Sequence, residues 1–264
     1  MDGLVRKLKA LGFSVLFILG FYILEIGLAV FSLMGFARNG YNLSAVYLMA
    51  LFQIIKIFIL YFFIKKRSKG YKEKHKMDYV KTKPTIWPKA FLIGLGAYGL
   101  ANIIMSTILA LFGNTPLIIE NMEFLNEAFS VSSLLENIIL YIDIIILAPI
   151  VEEMMFRGIY VGEVRKYISI NATIFMSGLF FGIFHMNLLQ GINAFFLGGL
   201  ITYVYFRRGN IYEAIIIHAT NNLLASLSEI SDLVNNITII GGVIGLFFTL
   251  KIIMHMERNY KSVS

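Results

Sequence analysis

The sequence predicts an all-α fold, a polytopic membrane helix bundle of about eight transmembrane helices with its N- and C-termini cytoplasmic. Three observations carry this. Hydrophobic residues make up 58% of the 264 and charged residues only 15%, where a soluble domain carries about 25% charged residues. The mean hydropathy is +0.76. Apolar runs near the roughly 20 residues that cross a bilayer recur from one end to the other.

In chain order, spans are expected near 11–36, 43–64, 89–112, 134–157, 170–188, 191–207, 211–228 and 236–256. Arg6, Lys7 and Lys9 precede the first run as in a signal peptide. No small-residue cleavage site follows, and Glu25 interrupts the run, so it reads as a retained first span. The first four spans separate cleanly, whereas the last four are crowded by turns such as Met186–Gly191 and Arg207–Asn210. Residues 1–264 therefore read as one integral membrane domain. Glycine pairs at Gly178/Gly182 and Gly241/Gly245 have the spacing that lets helices approach closely, and they read as packing.

Charge sets the orientation. The net charge of +7 does not point to nucleic acid, because the basic residues sit in short loops between apolar runs, as the positive-inside rule requires. With the N-terminus inside, 21 of the 23 Lys and Arg fall on the cytoplasmic side, including Arg157 and ten in the loop from Lys65 to Lys89; only Arg38 and Lys56 fall elsewhere. The opposite loops carry Glu120, Glu123, Glu127, Glu229 and Asp232. The basic loop reads as a topogenic signal lying on anionic headgroups, with Tyr79 and Trp87 as interfacial aromatics. The absence of cysteine excludes disulfides, thiolate metal sites and a cysteine nucleophile.

Ionisable groups in a membrane core cost about 2.5–3.5 kcal/mol each on insertion scales, so each is a functional candidate. In Pro149-Ile-Val-Glu-Glu-Met-Met-Phe-Arg157, Glu152 and Glu153 point about 100° apart on a helix. Glu153 and Arg157 have ion-pair spacing, which leaves Glu152 facing elsewhere as a base or ligand. The plainer alternative is a set of charges ending the helix at the interface. Phe181 and His185 share a face of the fifth span, as do His218 and Asn222 in the seventh. The latter two can stabilise an oxyanion or act as interhelical hydrogen-bonding glue. The other histidines, His75 and His255, lie in the basic loop and near the C-terminus.

Taken together, Glu-Glu-x-x-x-Arg, Phe-x-x-x-His and His-x-x-x-Asn, in that order on successive membrane helices, resemble the CAAX protease and bacteriocin-processing family, which includes the type 2 CAAX prenyl endopeptidases. The motifs match as Glu152-Glu153-Arg157, Phe181-His185 and His218-Asn222, inside a catalytic core at 149–223. The family's architecture has eight helices, in agreement with the count above. The resemblance implies an intramembrane endopeptidase acting on a membrane-associated peptide or protein. In it Glu152 activates water with His185 assisting, His218 and Asn222 hold the oxyanion, and Glu153 and Arg157 support Glu152. It implies no cofactor if the chemistry is that of a glutamate protease. The alternative is zinc on Glu152, His185 and His218, and against it there is no His-Glu-x-x-His helix. A second reading is a non-catalytic bacteriocin-immunity or membrane interaction protein. A third is a transporter with a proton path through Glu25, Lys56, Asp143 and Glu152, although Glu25 and Lys56 also suit a structural pair. Abundant Ile, Lys and Asn with short loops suggest a bacterial plasma membrane, and a peptide precursor as substrate.

Overall fold

The computed structural model describes residues 2–38, 45–75, 87–128 and 133–261, and these contain nine helices. They are α1 Asp2–Arg38, α2 Ala45–His75, α3 Trp87–Phe112, α4 Pro116–Ala128, α5 Leu134–Val164, α6 Ile170–Phe184, α7 Leu188–Arg208, α8 Ile211–Ser228 and α9 Asp232–Lys261. Tyr79, and with it residues 76–86 of the basic loop, lies outside the described residues.

Each expected span coincides with one of these helices. Six of them (α1, α2, α3, α5, α7 and α9) contain segments long and apolar enough to cross a membrane. The other two differ for physical reasons. α6 has 15 residues, a rise of about 22 Å against a hydrocarbon core of about 30 Å. α8 has 18 residues, and its Glu213, His218, Asn221 and Asn222 lower its hydropathy. α4 was expected to be loop and is a helix. It begins on Pro116, which suits a first helical turn, and it turns Ile118, Asn121 and Leu125 inward while its glutamates stay exposed.

The described chain divides into two compact units. The first comprises Met1–Ser68 and Val131–Thr173. Within it α1 lies against α5 through aromatic rings: Phe17 meets Phe156 edge-on at 5.8 Å and Tyr160 at 5.4 Å. The Ser14 and Tyr160 hydroxyls share a 2.7 Å hydrogen bond. α5 is not a uniform helix, for it widens into π-helix at Asp143–Leu147 and at Phe156–Tyr160. Pro149 follows the first of these. It has no N–H to give the preceding turn, and its ring needs room there, which a π segment supplies.

The second unit comprises Lys69–Ser130 and Ile174–Ser264. Close backbone approach organises it. A methyl group at Gly182 would fall 2.6 Å from the Gly191 carbonyl oxygen, and one at Gly178 2.6 Å from that of Phe195. On α9 the expected pair is corrected, since Gly241 faces open space while Gly242 and Gly245 meet Gly99 and Gly96 of α3. The contact face repeats at 242, 245 and 249, where Thr249 donates to the Leu92 carbonyl at 3.1 Å. α7 closes on Gly209, whose φ of 65° is the left-handed conformation that ends helices. Asn210 then caps α8, its side chain accepting the Tyr212 N–H at 2.9 Å, and Arg208 pairs with Glu213 across the turn at 2.9 Å.

Candidate functional site

Of the seven motif residues, Glu152, Glu153 and Arg157 belong to the first unit and Phe181, His185, His218 and Asn222 to the second. In the first unit, α5 is regular α-helix from Ala148 to Met155, so the divergence expected of adjacent carboxylates is present. Glu153 is completely buried and Glu152 half-buried. The Arg157 Nη1 sits 2.9 Å from both oxygens of Glu153, with neither side chain exposed. Arg157 is thus an internal ion-pair partner, as its spacing from Glu153 suggested, and not a charge that simply ends the helix at the interface. Arginine suits this place, because its guanidinium stays charged when desolvated.

Glu152 belongs to a wider polar group in the same unit. Asp143, on the π segment more than two turns toward the helix start, is buried, takes a hydrogen bond from Gln53, and lies within electrostatic reach of Lys56, Glu152 and Glu25. Tyr22 feels both Glu152 and Glu25. Lys56 and Glu25 form the structural ion pair that two opposite charges in the first two spans suit, and the Lys56 ammonium lies 5.4 Å from the centre of the Phe21 ring.

In the second unit the organising residue is Phe181, which is fully buried. Its ring meets His185 edge-on at 5.0 Å and His218 at 5.6 Å. One phenylalanine therefore holds imidazoles from two helices. His185 follows the last residue of α6, and its Nδ1 lies 2.8 Å from the Phe181 carbonyl. A carbonyl can only accept, so Nδ1 is the donor of this contact, and Nε2 is the ring position left to take part in proton transfer. His218 is 2% exposed. Asn222 stands one turn further along α8, its side-chain oxygen accepting from Asn221 at 3.2 Å. Asn221 also lines a small recess with Asn193, Leu197 and Ala97. The Asn193 Oδ1 is buried there without a hydrogen-bond partner.

Among the described residues no three His, Asp or Glu side chains gather as a metal site requires. Sequence reasoning missed Gln53 and Asn121. A single amide in an apolar span gives no signal of its partner, and Asn121 sat in a segment read as loop.

Fold and polar residues together define a multi-pass membrane protein. The comparison with family models adds the chemistry: residues 134–224 match the family described as Type II CAAX prenyl endopeptidase Rce1-like. The resemblance drawn from the three motifs is borne out over this segment, which contains all seven motif residues and supports a CAAX-type endopeptidase in general terms. α1 to α4 lie outside the match. Searches of curated proteins and of solved structures give no match.

Proposed function

We propose that the protein is an intramembrane endopeptidase that cleaves a membrane-associated peptide or protein by attack of a water molecule activated by Glu152. The observation that carries this reading is the convergence of His185 and His218, from different helices, on the single ring of Phe181. Apolar spans have no packing need for two imidazoles at one aromatic ring, whereas acyl transfer needs both a proton acceptor and electrophilic donors.

In this mechanism the Glu152 carboxylate takes a proton as the water oxygen bonds to the scissile carbonyl carbon. His218 and the Asn222 amide donate to the developing oxyanion. When the C–N bond breaks, the proton passes to the leaving nitrogen, with His185 Nε2 sharing it on the way. Glu153 and Arg157, neutral as a pair, hold the turn from which Glu152 projects. The chemistry needs no cofactor. The substrate we favour is a peptide precursor of a bacterial cell, processed at the plasma membrane.

The test compares membrane and secreted peptides by mass spectrometry between wild type, a deletion, Glu152→Gln and His185→Ala at matched protein levels. A processed peptide should vanish in the deletion and fall by about 10²–10⁴-fold in both point variants, the usual contribution of a positioned acid or base. Point variants that restore the full peptide profile sink the protease reading and favour the immunity or interaction protein.

A further inference from the structure

The turn between α6 and α7, which begins at His185, is held by a residue distant in sequence. Met186 has φ 52°, a left-handed conformation that side chains other than glycine enter at a cost and keep only when their surroundings enforce it. The next residues open α7, whose first N–H groups have no partner within the helix. The accounting closes with two asparagines. Asn187 accepts from the Leu189 and Gln190 N–H groups at 3.0 and 3.1 Å. The Leu188 N–H is taken by the Oδ1 of Asn121 at 2.8 Å. Asn121 also accepts the Asn187 side-chain amide on its own carbonyl at 3.2 Å. Its Nδ2 donates to the Leu117 carbonyl at 2.8 Å, which fixes the orientation of the amide.

Asn121 thus grips the turn at two points from α4, a helix that is anchored by the buried Ile118. The polar groups of the turn thus find their partners within the protein. We propose that Asn121 is a positioning residue for His185: by holding Asn187 and Leu188 it enforces the strained backbone at Met186 and so fixes the imidazole at the end of α6. The functional importance of this rests on the protease reading, but the geometry can be tested without it.

The experiment uses the full chain in lipid nanodiscs. Hydrogen exchange is followed at the start of α7, and diethyl pyrocarbonate labelling is followed at His185 and His218, with exposed His255 as reference. Asn121→Ala should speed exchange of the Leu188 amide at least tenfold and labelling of His185 severalfold, leaving His255 unchanged. Asn121→Asp, which keeps the acceptor for Leu188, should stay within twofold of wild type. Asn121→Gln, a milder change that serves if the alanine variant does not fold, should fall between. Wild-type values in the alanine and glutamine variants overturn the proposal, as does an equal rise across α7 and α8, which would make Asn121 a general fold residue. If a cleaved peptide is found, Asn121→Ala should lower kcat more than it raises KM. Absence of cleavage by the wild type would sink the protease reading and leave the exchange and labelling results standing.

Discussion

Removal of one partner from the Glu153–Arg157 pair is the sharpest energetic test of the first unit. Both side chains have zero exposure, and one guanidinium nitrogen lies 2.9 Å from the carboxylate. At an effective dielectric of about 20, two unit charges 4 Å apart attract by roughly 4 kcal/mol, and this pair is closer. Glu153→Gln leaves a buried guanidinium without its counter-charge, and Arg157→Leu leaves a buried carboxylate. Each single change should cost about 3–5 kcal/mol, while the double change should cost much less, because desolvating both charges already offsets most of their attraction. The assay is a double-mutant cycle on unfolding of the purified protein in one fixed detergent, with a coupling energy of about 2 kcal/mol or more expected. Two single variants that each lose under about 1 kcal/mol, with no coupling, would refute the reasoning. That result would mean that Arg157 reaches the headgroups after all, as long basic side chains near helix ends can.

Two further outcomes are expected. Gly99→Ala would set a methyl 2.2 Å from the Gly242 carbonyl oxygen, against backbone that cannot rotate away; it should cost about 1–3 kcal/mol or more by forcing α3 from α9, whereas Gly241→Ala should be near neutral in the same thermal assay. On the proposed chemistry, dialysis of the purified protein against a strong chelator should leave peptide cleavage within twofold. Elemental analysis showing one zinc per chain, together with loss of cleavage on its removal, would replace that chemistry with a metal mechanism.

How much of this was legible depends on the range of each interaction. The spans were readable because crossing a bilayer is a local demand on composition, and the eight expected runs coincide with helices. The Glu153–Arg157 pair was readable because helical spacing alone sets it. Phe181 was readable as the neighbour of His185, but its contact with His218 was not, since that depends on how α6 and α8 cross. Gly241 was misread for a related reason: several glycines lie close together on α9, and only the α3 backbone shows that Gly242 and Gly245 are the ones in contact. α4 escaped because its polar residues alternate with apolar ones over only 13 residues, too few for a span and rich in the glutamates expected of an outer loop.

The family match does not delimit the functional unit. It begins at Leu134 and so includes Asp143 and Glu152, but Lys56 and Gln53, which reach Asp143, come from α2, and Glu25 from α1. An ionisable group left without partners in a membrane core costs about 2.5–3.5 kcal/mol even on the lenient insertion scales. The matched segment alone would carry its intramembrane carboxylates without the cation that neighbours Asp143. The first two helices, which have no recognisable motif, therefore contribute directly to the surroundings of the motif-bearing helix: α2 places Lys56 and the Gln53 hydrogen-bond donor at Asp143, and α1 supplies Glu25, the ion-pair partner of Lys56. This also weakens the transporter reading. A lysine ion-paired to Glu25 and placed beside Asp143 fits a fixed arrangement around the α5 acids, whereas a proton path would need it to exchange partners.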